Sequence, residues 1–320
     1  MGSTEIAQLP IPAIVGPTAS GKSDLGIELA VKLGGEVINL DSVQVYRGLY
    51  VATAKVPARD QRGIPHHLID IASPTQNFTA GEYARLAETA IREVVARRRM
   101  AILVGGTGFY LRALVRPLFE SPETDLHLRD RLRRVLETRG APHLHRMLTR
   151  VDADSAAAIS PRDWSRTMRA LEFRFQSGKT MSKSRPNSPP PPDFAGRVIV
   201  IALNPPRADL YSKINARAER MFQEGLVEEV QALIDSGVPA DAKAFQAHGY
   251  RRVVEYIKGQ RTLEAALEQM KLDTRHYAKR QLSWWRSWPG TRWINRFGNE
   301  PEALVEALDH IGEEAKQPKG

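Results

Sequence analysis

The chain has 320 residues, 42% apolar and 26% charged, which is enough for one large core or two domains of ordinary size. It has no cysteine, so disulfides, thiolate zinc sites and a cysteine nucleophile are excluded, and no stretch approaches the ~20 apolar residues of a membrane helix. Its 46 Lys and Arg against 37 Asp and Glu leave +9, a balance that favours polyanionic partners, nucleic acid first.

The opening "MGSTEIAQLP" has no basic segment before an apolar one, so no signal peptide is expected and the expected compartment is the cytoplasm. "IPAIV" before Gly16 predicts a short buried strand, and "SDLGIELAVKLG" a helix ending at Gly34-Gly35. "EVINL" (36–40) predicts a second strand, Thr79 to Arg99 a helix, and "MAILV" a third strand stopped by Gly105-Gly106. Alternating strands and helices imply a parallel sheet with its ligand at the strands' carboxyl ends. From Glu123 to Ser184 the chain becomes Arg-rich and helical in pattern, and then runs into "SRPNSPPPPDFAG", a stiff exposed connector. "RVIVIAL" (197–203) predicts a strand returning to the sheet, followed by helices over about 207–236 and 262–288. The expected domains are therefore a core of 1–121 and 196–320 and a helical insertion of 122–195.

Gly16-Pro17-Thr18-Ala19-Ser20-Gly21-Lys22-Ser23 fits G-x-x-x-x-G-K-[ST] between a predicted strand and a predicted helix. Backbone N–H groups of such a loop converge on phosphate oxygens at a helix N-terminus. Lys22 adds a point charge, and the Ser23 hydroxyl is a ligand for Mg²⁺. Asp41-Ser42-Val43-Gln44 stands at the end of the second strand and Gly105-Gly106-Thr107-Gly108 at the end of the third, with Lys55, His66 and His67 between them. Each has a plain alternative: Asp41 as a helix cap or magnesium ligand, the paired glycines as a turn, the histidines as surface or core. Their meeting at three neighbouring strand ends favours an active site.

"GPTASGKS", "INLDSVQVYRGL", "TAKVP", "PHHLID", "LVGGTGFYLRAL", "RALEF", "GLVEEV", "GYRR" and "TRHYAKRQLSWWR" occur in the order seen in tRNA dimethylallyltransferases, the tRNA isopentenyltransferase family, which the chain resembles from about 10 to 290. The resemblance implies a P-loop NTPase-like α/β fold with an all-helical insertion, and a bacterial, monomeric, stand-alone form. It implies transfer of a dimethylallyl group from its diphosphate to N6 of adenosine 37 in tRNAs reading codons that begin with U. The loop would hold the departing diphosphate with Mg²⁺, Asp41 would accept the amine proton, Thr107 would contact substrate and Arg217 would reach the diphosphate. The tRNA anticodon arm is expected at Asp41, Ser42, Val43, Gln44, Lys55, His66, Thr107 and Arg251.

The basic segments suit the same partner. Residues 129–150 hold seven Arg against two acids, with Arg129 and Arg133 one turn apart; Ser165, Arg166 and Arg169 follow in the next helix. Arg275 is i, i+4 from Lys279 and His276 from Arg280, so the four are expected to share one cationic face. The insertion is expected to move as a unit and clamp the anticodon arm. Trp284, Trp285 and Trp288 have helical spacing and are assigned to core. The chain departs from the family pattern at Ala52, at Ser160-Pro161-Arg162-Asp163 and at His276. A small-molecule kinase, a prenyltransferase of free adenine nucleotide and a non-catalytic RNA binder stand as alternatives.

Overall fold

The structure, a computed structural model, describes residues 9–316, so the first eight residues, on which part of the signal-peptide reading rests, lie outside it. The chain runs Ile11–Val15 (β1), Lys22–Leu33 (α1), Gly35–Asn39 (β2), His66–His67 (β3), Ala80–Ala96 (α2), Met100–Val104 (β4) and Gly108–Val115 (α3). A helical stretch follows: Leu126–Arg139 (α4), Ala141–Val151 (α5), Ala153–Ala157 (α6), Trp164–Ser177 (α7) and Met181–Ser184 (α8). Then come Val198–Leu203 (β5), Arg207–Gln223 (α9), Leu226–Asp235 (α10), His248–Ile257 (α11), Leu263–Arg286 (α12), Arg292–Ile294 (β6) and Pro301–Lys316 (α13). Among the described residues no helix is long and apolar enough to cross a membrane.

The strands pair in parallel in the order β3-β2-β4-β1-β5-β6. β1 and β2 are buried along their whole length, as a sheet covered on both faces requires. Ala13 and Val15 pack into one apolar cluster with α2, α3 and α9 to α12; Ile14 points the other way, to α1 and α13. This is a P-loop NTPase-like α/β sheet flanked by helices. The sequence pattern missed β3 and β6, which are too short to show a period. It also missed α11 and α13, and ran α9 and α10 together, although Gly225 (φ 90°) divides them.

Two compact units result, one of residues up to Val115 and from Pro192 on, the other Arg116–Pro191. The helical unit thus begins six residues before the expected 122 and ends four before 195. The reason is local: Phe119 packs edge-on against Phe173 at 5.3 Å, and Ser121 Oγ accepts a hydrogen bond from Arg169. Asp193 instead pairs with Arg92 of α2, and the following Phe194 is buried in the sheet unit. The proline run between them is mostly exposed.

The helical unit has its own core of Leu128, Leu132, Leu144, Leu148, Met168 and Leu171. Within it Glu172 is fully buried, and Arg129 grips both its oxygens at 2.6 and 2.8 Å while Arg169 adds a third bond at 3.3 Å. Two of the arginines expected to meet tRNA thus share a buried carboxylate within this unit. Arg129→Ala is expected to destabilise this unit by about 1–3 kcal/mol, because the buried carboxylate loses its bidentate partner. Hydrogen exchange across 126–177 would read the loss, and unchanged protection would refute it.

Candidate active site

Three loops converge because β2, β4 and β1 are neighbours and end level: Ile14 and Asn39 both register with Val104. The exit of β4 is tied to both sides, Gly105 N–H donating to Ile14 C=O (3.1 Å) and Thr107 N–H to Leu40 C=O (3.0 Å). A Cβ on Gly105 would lie 2.2 Å from the Leu40 carbonyl carbon, so only glycine passes there.

The phosphate loop leaves β1 through Gly16 (φ 141°) and enters α1 through left-handed Gly21 (φ 84°). No side chain caps α1, so the amides at its start stay open toward an anion. Ala19 also has positive φ (63°), which a residue with a side chain adopts only when held. The holders come from far along the chain. Gly298 N–H donates to Ser20 C=O at 2.8 Å, and Thr18 N–H donates to Gln281 Oε1 at 2.9 Å. Lys22 Nζ donates to Pro17 C=O at 2.6 Å, and burial lowers its pKa to about 8, opposed by Asp41 and assisted by Arg217.

Asp41 is oriented by its own neighbours. Its Oδ1 accepts the Val43 N–H at 2.8 Å, and buried Asn39 brackets its backbone with bonds of 2.9 and 3.0 Å. Thr107 Oγ1 accepts the Ser42 N–H at 3.0 Å, joining the β2 and β4 loops. Arg217 of α9 is desolvated, which lowers its guanidinium pKa, while Asp41 pulls it back up.

Two cavities share a wall made of Thr18, Ala19, Asp41, Thr53 and Arg217. One, of about 720 Å³, contains the phosphate loop and the cations Lys22, Lys213, Arg217 and Arg220. The other, of about 500 Å³, is mainly apolar, with Tyr46, Phe78, Phe109, Tyr110, Met221 and Met270 among its lining. A charged group and an apolar group can therefore lie on either side of the Asp41 carboxylate. Ser23, Asp24 and Asp41 line the polar cavity. A hydroxyl with one or two carboxylates fits a hard divalent ion that takes its other ligands from phosphate and water. Among the described residues no three His, Cys, Asp or Glu form a full metal cage.

The other expected residues divide. Ser42 and Val43 face the apolar cavity; Gln44, Lys55 and His66 face the polar one. Lys55 is committed to Asp70 (2.6 Å) and to the Tyr46 carbonyl, so its charge is matched within the protein. His66 Nδ1 meets the Ile64 carbonyl at 2.8 Å, and His67 meets Glu36 at 2.6 Å. On α12 the four expected cations fall on one arc of the helix, with His276, Lys279 and Arg280 exposed and Arg275 half-buried. Arg275 bonds Asn215 of α9 and Arg280 reaches His248 of α11. Arg251 is exposed and paired with Glu255. Arg129, Ser165, Arg166 and Arg169 belong to the helical unit, where Arg166 pairs with Asp163, the N-cap of α7. Positive φ falls on Ala54 (47°) and not on Ala52, so alanine at 52 asks no adjustment of the loop. Trp285 is fully buried, as its spacing predicts.

Asn39, Lys213, Arg220, Tyr277 and Gln281 were not singled out from the sequence. Only Tyr277 and Gln281 left a signal, an i, i+4 polar pair on the inner side of α12 within "TRHYAKRQ".

The profile described as IPP transferase matches residues 44–288. A tRNA dimethylallyltransferase of Solibacter usitatus is 45% identical over 304 residues, 95% of this chain and 98% of that one. One from Geobacter sulfurreducens is 41% identical over 98% of this chain and 100% of that one. Among solved structures, the full-length tRNA isopentenylpyrophosphate transferase of Bacillus halodurans is similar with TM-score 0.70 and 36% identity, over 96% of this chain and 97% of that one. A eukaryotic dimethylallyltransferase, described as acting on tRNA, is similar with TM-score 0.76 and 25% identity, over 98% and 81%.

Proposed function

The chain belongs to the IPP transferase family and is a prenyltransferase of the tRNA dimethylallyltransferase type, and on that premise we propose how its own residues carry the reaction. The group moved is dimethylallyl, taken from its diphosphate to N6 of adenosine 37 in tRNAs reading codons that begin with U. The shared wall between a cationic and an apolar cavity, with Asp41 and Arg217 in it, carries this reading.

The diphosphate lies against the loop amides, Lys22 and Arg217, which neutralise the charge that grows as it departs. The prenyl chain and the adenine, drawn out of its stack, occupy the apolar cavity. Phe109, 45% exposed at the start of α3, offers a face to the base. The N6 lone pair attacks C1 of the prenyl group, the C1–O bond breaks toward diphosphate, and the N6 proton passes to Asp41. The Val43 N–H keeps that carboxylate turned to its task. Ser23, with Asp24 beside it, would hold a Mg²⁺ that screens the leaving oxygens, which leaves Asp41 free to take the proton. The protein would act as a monomer in the cytoplasm, which sedimentation and cell fractionation can check.

The direct assay incubates the protein with dimethylallyl diphosphate, Mg²⁺ and either bulk tRNA or AMP. Prenylated adenosine in tRNA alone is expected. Product from AMP instead would give the free-nucleotide reading, and phosphoryl transfer from ATP would give the kinase reading.

Charge on the helical unit predicts salt dependence. Arg133 and Arg166 are themselves exposed, with carboxylate partners at 3.7 and 3.3 Å, which leaves them able to meet phosphate. Replacing both with Ala should flatten the slope of log affinity for tRNA against log salt by up to about two units, roughly one per contact. Binding of dimethylallyl diphosphate should not change. An unaltered slope would mean that these charges only solvate the helices.

A further inference from the structure

We infer that Gln281 is a positioning residue which sets the phosphate loop for diphosphate, an inference that rests on the reading above. Its side chain is 5% exposed and both ends of its amide are engaged. Oε1 accepts the Thr18 N–H at 2.9 Å, and Nε2 donates to the Gly106 carbonyl at 3.1 Å. One amide on α12 thereby ties the loop after β1 to the loop after β4, and both ends lie far from it in sequence. Tyr277, one turn earlier, has Gln281 and Thr107 against its hydroxyl.

The place of the tie explains its purpose. Thr18 precedes Ala19, the loop residue with a side chain and positive φ (63°), so the Pro17–Thr18 peptide that leads into this turn is held at its N–H by Gln281 and at its carbonyl by Lys22. The Gly298 bond to the Ser20 carbonyl holds the far side. Between these two anchors the amides from Ala19 to Ser23 are left to the anion. Without the first anchor the Pro17–Thr18 peptide is held only at its carbonyl, by Lys22, and ordering it again weakens binding of every anion.

Gly106 is fitted to the same purpose. A Cβ there would come 2.0 Å from Gln281 Nε2, so glycine is what lets the amide reach the carbonyl. Gln281 touches neither the prenyl group nor the amine in this arrangement, and its effect is carried by the loop.

The test uses the full-length protein with Mg²⁺ and inorganic diphosphate as the titrant, alongside steady-state prenylation of tRNA. Gln281→Met keeps the length of the side chain and removes both hydrogen bonds. Diphosphate affinity should fall about tenfold, and KM for dimethylallyl diphosphate should rise as much, the scale of one buried hydrogen bond lost. KM for tRNA and kcat at saturation should stay within about threefold, since Arg275 and Arg280 on the same helix are untouched. Gly106→Ala, which displaces the amide without altering Gln281, should give the same split. Diphosphate binding by Gln281→Met within about threefold of wild type would overturn the inference, as would a tRNA KM rising in step, the sign of a merely packed helix. A wild-type protein that binds diphosphate yet prenylates no tRNA would instead defeat the functional reading.

Discussion

Asp41→Asn is expected to lower kcat for tRNA prenylation by about 10²–10⁴, the usual worth of a general base, with tRNA affinity within about threefold of wild type. The substitution is close to silent for the fold. Asn keeps an Oδ1 that can accept the Val43 N–H, and the backbone clamp from Asn39 does not involve the side chain of residue 41. What is lost is the capacity to take a proton from an amine that becomes acidic only as its bond to carbon forms. Single-turnover prenylation and tRNA binding, measured on the same preparation, separate the two effects. A kcat within about threefold of wild type would remove Asp41 from the role of base.

Lys22→Met is expected to divide binding from stability. Affinity for diphosphate should fall by about 10–100-fold, because a charge-assisted contact inside a desolvated site disappears. The unliganded protein should become more stable at neutral pH. Burial lowers the Lys22 pKa from 10.5 to about 8, so the folded state holds its proton less tightly than the unfolded state does. Below pH 8 the amine is charged in both states, and folding bears the whole cost of burying it. As pH rises from 8 toward 10.5 the folded state gives up its proton first, and stability increases by roughly 3 kcal/mol. Methionine carries no such cost, so at pH 7 its unliganded melting temperature should exceed that of wild type, and the rise with pH should vanish. Wild-type affinity for diphosphate should weaken above pH 8, as the ammonium empties. A variant that binds diphosphate as before would remove Lys22 from the anion's site, and an unliganded variant that melts lower would show that the buried amine stabilises the fold through its bond to Pro17.

The phosphate loop and Asp41 were legible because each follows a strand directly. A strand's end determines where the next few residues stand, and the loop's glycines declare their backbone angles. Charge was less legible. Arg129, Arg169 and Lys55 look in sequence like any solvated cation, yet they serve Glu172 and Asp70. Sequence spacing cannot tell a cation that waits for phosphate from one that already has its carboxylate, since the partner can be 43 residues away, as Glu172 is from Arg129.

By itself the sequence determined the strand–loop–helix unit that accepts an anion, the acid beside it, the alternation that makes the sheet parallel, and a helical insertion rich in arginine. These follow from short-range rules: apolar runs, glycine angles and helical spacing. Only the tertiary structure decided the strand order that brings the ends of β1, β2 and β4 together, the division of the site into a cationic and an apolar cavity, and the tie from Gln281 to Thr18 across 263 positions. Those depend on which elements become neighbours once the apolar faces are buried, and no local pattern encodes a neighbour that the chain reaches only by folding.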